Sequence, residues 1–202
     1  MLNKLSITGL LFCLLAGVSL AGDSVLIDNF NCKNLKAPVY WWTFDCAPSA
    51  SKGVLSFDKL SRNFYGGGCG TYIAKEGVDY SKYNAIKLDI IGTGNDSGTL
   101  KIELVDDDNG NWSCEQDKKG KVLKDDVFVY EQRVDWKGLK TITIPFADFV
   151  DDNDTVGNDE FDIGKTGQSG GLLQIQLICL SNSPIASIKF AVDNIMIVKE
   201  KP

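Results

Sequence analysis

Trp136-Lys-Gly-Leu-Lys-Thr-Ile-Thr-Ile-Pro145-Phe146-Ala-Asp-Phe149 decides the fold class of this chain. It reads as a strand that stops at a proline and turns into a short helix or loop. Further on, Phe190-Ala-Val-Asp193-Asn-Ile195-Met-Ile197 reads as a last strand carrying one acidic residue. Near the start, Val25-Leu-Ile-Asp28-Asn-Phe30 is a matching piece. Working outward, short apolar or alternating runs place strands near 25–30, 39–44, 53–57, 70–74, 84–91, 99–105, 127–134, 139–144, 172–180 and 187–198. Turn residues separate them: Gly66-Gly-Gly68, Gly92-Thr-Gly94-Asn-Asp, Asp106-Asp-Asp-Asn-Gly110-Asn, and Gly164 to Gly171. The glycine tract at 66–68 reads as a flexible turn into a strand. No long window shows a 3.6-residue apolar period. About ten strands of this kind predict an all-β, jelly-roll β-sandwich.

The first, third-from-last and last of these pieces, in this order, resemble the jelly-roll modules of carbohydrate-binding module family 11. They also resemble the related complex I intermediate-associated protein 30 domain. Both belong to the galactose-binding-like superfamily, and the resemblance covers nearly all of residues 22–202. The first relative implies a non-catalytic module that binds a polysaccharide, such as a β-glucan, weakly on a concave sheet. The second implies a protein-interaction or assembly domain. Family 11 modules line the concave sheet with tyrosines. At the corresponding places this chain has Gly68, the ring-free loop Asp151 to Thr155, and Cys179. The scaffold is therefore carried over more firmly than any glucan specificity.

Residues 1–21 read as a signal peptide, which predicts a secreted or periplasmic protein with 22–202 as its single domain. Lys4 supplies the positive region, Leu10 to Ala16 the apolar region, and Ser19-Leu20-Ala21 the cleavage site. The apolar stretch is too short for a comfortable membrane span. The net charge of −6 argues against nucleic acid or anionic lipid as a partner. Histidine is absent, which removes Ser-His-Asp and Cys-His catalysis and the histidine zinc motifs. The glycine tract lacks the lysine of a phosphate loop. A non-enzyme is expected. Cys32 and Cys46 flank one loop of an exported chain, so a disulfide between them is expected.

Alternation along Val127 to Arg133 puts Phe128 and Tyr130 on one face and Glu131 and Arg133 on the other. Along Leu173 to Cys179, Gln174 and Gln176 leave the core side together. Planar amide, guanidinium and carboxylate groups of this kind read sugars; a merely solvated face is the competing reading. Tyr40-Trp41-Trp42 must point neighbours to opposite faces, so at least one ring faces outward or packs under a loop. Trp112 sits in a Gly/Asp-rich turn. Tyr40, Trp42 and Trp112 are thus the rings expected to border a ligand face.

The acidic loops starting at Asp106 and Asp151 fail the calcium register of an EF-hand and read as solvated. Asp193 lies in an apolar strand, where an unpaired charge is costly. The resemblance implies a structural calcium between the first and last strands, with Asp193 as a ligand and Asn31 opposite. N-terminal sequencing of exported protein is expected to begin at Gly22; recovery of full-length chain from the cytosol would contradict the signal-peptide reading.

Overall fold

The computed structural model describes residues 23–46, 48–74, 78–164 and 170–201; the expected signal segment 1–21 lies outside them. Among the described residues there are eleven strands and no α-helix. In chain order they are β1 (Ser24–Asp28), β2 (Trp42–Phe44), β3 (Leu55–Leu60), β4 (Tyr65–Tyr72), β5 (Ala85–Thr93), β6 (Gly98–Asp107), β7 (Val127–Val134), β8 (Lys137–Pro145), β9 (Val150–Asp151), β10 (Gly171–Leu180) and β11 (Ser187–Val198). All pairings are antiparallel.

One sheet runs β1-β11-β5-β8, with β3 also paired to β11. The other is six-stranded and runs β2-β4-β10-β6-β7-β9. Their facing sides supply one apolar core. From the first sheet come Ile86, Leu88 and Ile90 of β5 and Val192, Ile195 and Ile197 of β11. From the second come Leu100, Ile102 and Leu104 of β6 and Ile175 and Leu177 of β10. The period of two in these runs is what a sandwich requires, one side inward and one outward. The all-β jelly-roll sandwich is therefore present.

Pro145 ends β8 as its sequence suggested, and a single 3₁₀ turn, Phe146–Asp148, follows. Phe146 and Phe149 close the core there with Phe161. Two expectations are corrected. The glycine tract 66–68 is not a turn but the middle of β4. Its glycines are there because neighbours crowd the backbone: a Cβ on Gly66 would lie 2.7 Å from Cys179 Sγ, and one on Gly68 would lie 2.4 Å from the Leu177 carbonyl oxygen. The two-residue strand β9 was also not foreseen, being too short to show an alternation.

Asp28 explains the acidic end of the first motif. It is buried at the end of β1, and each of its oxygens has a donor. The Phe30 N–H donates to Oδ1 at 2.8 Å, and the Trp41 indole N–H donates to Oδ2 at 2.9 Å. Trp41 is itself core, 5.7 Å from the Phe30 ring. This bond ties the first strand to the segment leading into β2. Trp41→Phe keeps most of the packing but leaves a buried carboxylate oxygen without its donor. It is expected to lower stability by about 1.5–3 kcal/mol, read as a lower urea midpoint at unchanged slope.

Candidate functional site

The outward side of the six-stranded sheet carries the polar alternation that the sequence showed. Its composition follows from the strand register. One row across the sheet is Trp42, Gly70, Gln176, Glu103, Val129 and Val150. Beside it, on one flank, run Tyr72, Gln174, Val105 and Val127. On the other flank run Phe44, Gly68, Ile178, Lys101 and Glu131. A fourth row is Tyr65, Leu180, Thr99 and Arg133.

Glu131, Arg133, Gln174 and Gln176 therefore do share one face, but β6 separates their two strands. At about 4.8 Å per strand the two sets stand roughly 10 Å apart. Lys101 and Glu103 fill the gap; sequence reading passed over them, although the alternation in Leu100-Lys-Ile-Glu-Leu104 carries the signal. Lys101 Nζ lies 3.0 Å from Glu103 and 2.9 Å from Asp152. Burial alone would lower its pKa, but these two carboxylates outweigh it and hold the ammonium raised.

Rings concentrate at the β2–β4 edge. Trp42 and Phe44 point outward over glycines: a Cβ on Gly70 would sit 2.4 Å from the Trp42 ring, and one on Gly68 would sit 2.8 Å from the Phe44 ring. Trp42 and Tyr72 lie 5.5 Å apart, tilted by 55°. With Tyr40 they line a shallow cavity of about 180 Å³. Tyr72 is 44% exposed and Tyr40 61%. At the far end of β4, Tyr65 borders a second depression of about 400 Å³ with Asp45, Lys59 and Arg62. Burial, and then Asp45, push the Tyr65 phenol up to about 12. Phe44, Tyr65 and Tyr72 were not foreseen: Tyr65 lies in the half of β4 that the glycine tract hid, while Phe44 and Tyr72 lie in segments read as strands but not singled out as outward rings.

The loop between β6 and β7 closes one end of this face. Val122, on that loop, packs with Val105, Val127 and Leu173 in a small second core, with Cys114 beside it. The Cys114 N–H donates to the Tyr72 hydroxyl at 3.4 Å. Trp112, on the same loop, is half-exposed. Gln174 is only 2% exposed beneath this end, whereas Gln176 is partly open.

The remaining expected site residues lie elsewhere. Asp193 sits on β11 beside Asp89, and its Oδ1 accepts the Asn194 N–H. Burial raises its pKa, with Asp89 and Asp28 adding to the effect. Asn31 lies in the turn after β1, with its Oδ1 near Gly53. The groups of three carboxylates close enough to share an ion, among the described residues, do not include Asp193.

The structure shows no disulfide between Cys32 and Cys46, the pair expected from the sequence. The chain leaving β2 carries Cys46 to Cys179 instead. The hydrogen bond with Cys179 lowers the Cys46 pKa, whereas burial raises Cys69, Cys114 is pushed to about 12, and Cys179 is raised.

Among solved structures, the chain is similar to the family 11 carbohydrate-binding module from Clostridium thermocellum in complex with a β-1,3-1,4-mixed-linked tetrasaccharide. The TM-score is 0.50 at 20% identity, over 87% of this chain and 95% of that one. The chain has the fold of a carbohydrate-binding module. An agarase, AgWH50C, gives a TM-score of 0.52 at 10% identity, over 89% of this chain but only 25% of the agarase. The likeness there is to one part of an enzyme. No family model matches the chain, and no curated protein does. No helix among the described residues is long and apolar enough to cross a membrane.

Thiolate fraction controls alkylation rate. Brief iodoacetamide treatment at neutral pH is expected to label Cys46 ahead of Cys69, Cys114 and Cys179. Equal labelling of the four, or a Cys32–Cys46 peptide on non-reducing mapping, would contradict this arrangement.

Proposed function

We propose that the chain is a secreted, non-catalytic carbohydrate-binding domain that takes a polysaccharide weakly across the outward side of its six-stranded sheet. The observation that carries this reading is the pairing of an exposed ring cluster with planar hydrogen-bonding groups on one face. Tyr72 beside Trp42, flanked by Tyr40, offers an apolar surface for the C–H faces of a sugar. Gln176 next in the row, then Glu103 and Lys101, and finally Glu131 and Arg133, offer groups that can bond its hydroxyls. Trp112 stands on the loop that bounds the same face. A long, flat ligand suits this layout better than a buried small molecule, because the ring cavity is shallow and the polar groups are spread over several strands.

The strength follows from the contacts. One stacked ring plus a few hydrogen bonds worth about 0.5–1.5 kcal/mol each in competition with water gives micromolar to millimolar affinity. A β-glucan is the first ligand to try, given the module of like fold solved with a mixed-linked tetrasaccharide. The calcium expected at Asp193 and Asn31 would act on stability and stand apart from this face.

Affinity electrophoresis against β-glucans, xylans and mannans tests the proposal. Retardation by at least one glycan is expected, weakened about tenfold by Tyr72→Ala or Trp42→Ala and less by Arg133→Ala. If no glycan retards the protein while it captures a protein partner, the assembly-domain reading replaces this one.

A further inference from the structure

The acidic run at the end of β6 was expected to be solvated, and it is not. Asp106, Asp107, Asp125 and Asp126 are all fully buried. Asp107 is the ordinary case: its Oδ1 accepts the Gly110 and Asn111 N–H groups and its Oδ2 the Trp112 N–H, so it anchors the loop that follows.

Asp106, Asp108 and Asp126 differ from it in a consistent way. In each, Oδ2 accepts a backbone N–H. The Asp162 N–H donates to Asp106 Oδ2 at 2.6 Å, the Asp126 N–H to Asp108 Oδ2 at 2.8 Å, and the Asn158 N–H to Asp126 Oδ2 at 3.1 Å. The other oxygen of each, Oδ1 in all three, is buried with no donor at all. Ligand oxygens of the three lie within 4.8 Å of one another. Asp126 forms a second such group with Asp151 and Asp159.

Three carboxylates held this close, each with one buried oxygen that has no donor, repel one another. Among the described residues, no ion pair joins any of the five to a lysine or arginine. Burial, with the neighbouring carboxylates adding to it, pushes Asp106 up to about 9 and Asp108 to about 6. Backbone also closes in: a Cβ on Gly157 would lie 2.2 Å from Asp126 Oδ1 and 2.4 Å from Asp108 Oδ2. The 151–159 loop is thus folded directly against the carboxylates, leaving little room for bulk water to solvate them.

We propose that Asp106, Asp108 and Asp126 bind a calcium ion, with Asp126 shared toward Asp151 and Asp159 of the facing loop. The donor set is all oxygen, which selects a hard cation over zinc or copper. Calcium accepts several carboxylates at 2.3–2.6 Å in irregular geometry, whereas magnesium keeps much of its water and demands a near-ideal octahedron. Carboxylates from three separate chain segments, those of Asp106, Asp108 and Asp126 each with a buried oxygen, suit the first ion. The ion would pin the end of β6, the start of β7 and the 151–159 loop together, at the end of the sheet where the β6–β7 loop bounds the ring-bearing face. This site lies on the other sheet from Asp193 and is independent of the carbohydrate reading, since calcium alone is the probe.

Chelator-treated protein should be titrated with calcium chloride by calorimetry. Saturable binding is expected, weakened at least tenfold by Asp126→Asn or Asp108→Asn and retained in Asp193→Asn. No uptake at millimolar calcium, or unchanged affinity in Asp126→Asn, overturns the proposal. Should the variants fail to fold, manganese added to ¹⁵N-labelled wild-type protein decides. Amides of Asp126, Gly157 and Asn158 broadened first support the site, and broadening centred elsewhere overturns it.

Discussion

A large ring can lie directly against the backbone of a β-strand only where the strand beneath it has no side chain. That constraint governs the outward side of the six-stranded sheet. Gly68 and Gly70 of β4 leave the space that Phe44 and Trp42 fill from the edge strand β2. Any Cβ at Gly70 would displace the Trp42 ring, which in turn sets where Tyr72 can stand, 5.5 Å away. The glycines also weaken the strand, since they add no packing of their own. The two rings and the pairing of β4 with β10 compensate for this. Edge strand, glycine tract and ring cluster are one unit.

Two kinds of buried acid show how differently this fold treats charge. Asp28 and Asp107 have donors on both oxygens, and each fixes a local chain path. Asp106, Asp108 and Asp126 have donors on only one side. Burying a carboxylate without partners is costly, so a fold that does it three times in one place has a countercharge to accommodate. The satisfied aspartates hold the chain. The unsatisfied ones face one another across a loop boundary.

Much of the fold was legible in the sequence, because period-two alternation is a strong signal where one side of a strand is core and the other is wet. β5, β6, β7, β10 and β11 all have it, and their bounds fall close to those read from the chain. β4 was legible only in its second half. Glycine carries no hydrophobic signal, and a crowded glycine strand and a flexible turn look alike in one dimension. The candidate face was partly legible for the same reason: Gln176, Glu131 and Arg133 follow from alternation, but that β6 lies between their strands is a matter of strand order. The carboxylate cluster could not be read at all. It joins residues about fifty positions apart, and a run of aspartates in a turn-rich segment gives no hint of which are buried.

Rings over glycines in β4, together with the polar groups beside them, form the one ligand surface proposed for this chain. The most direct measurement is an NMR titration of ¹⁵N-labelled protein with oligosaccharides from β-glucan, xylan and mannan. The account expects one of them to shift the Trp42 indole N–H, the Gln176 side-chain amide and the backbone amides of Gly70 and Tyr72 together, along a single saturable curve. Shifts confined to the five-stranded sheet, or no shift with any of the three, would contradict it.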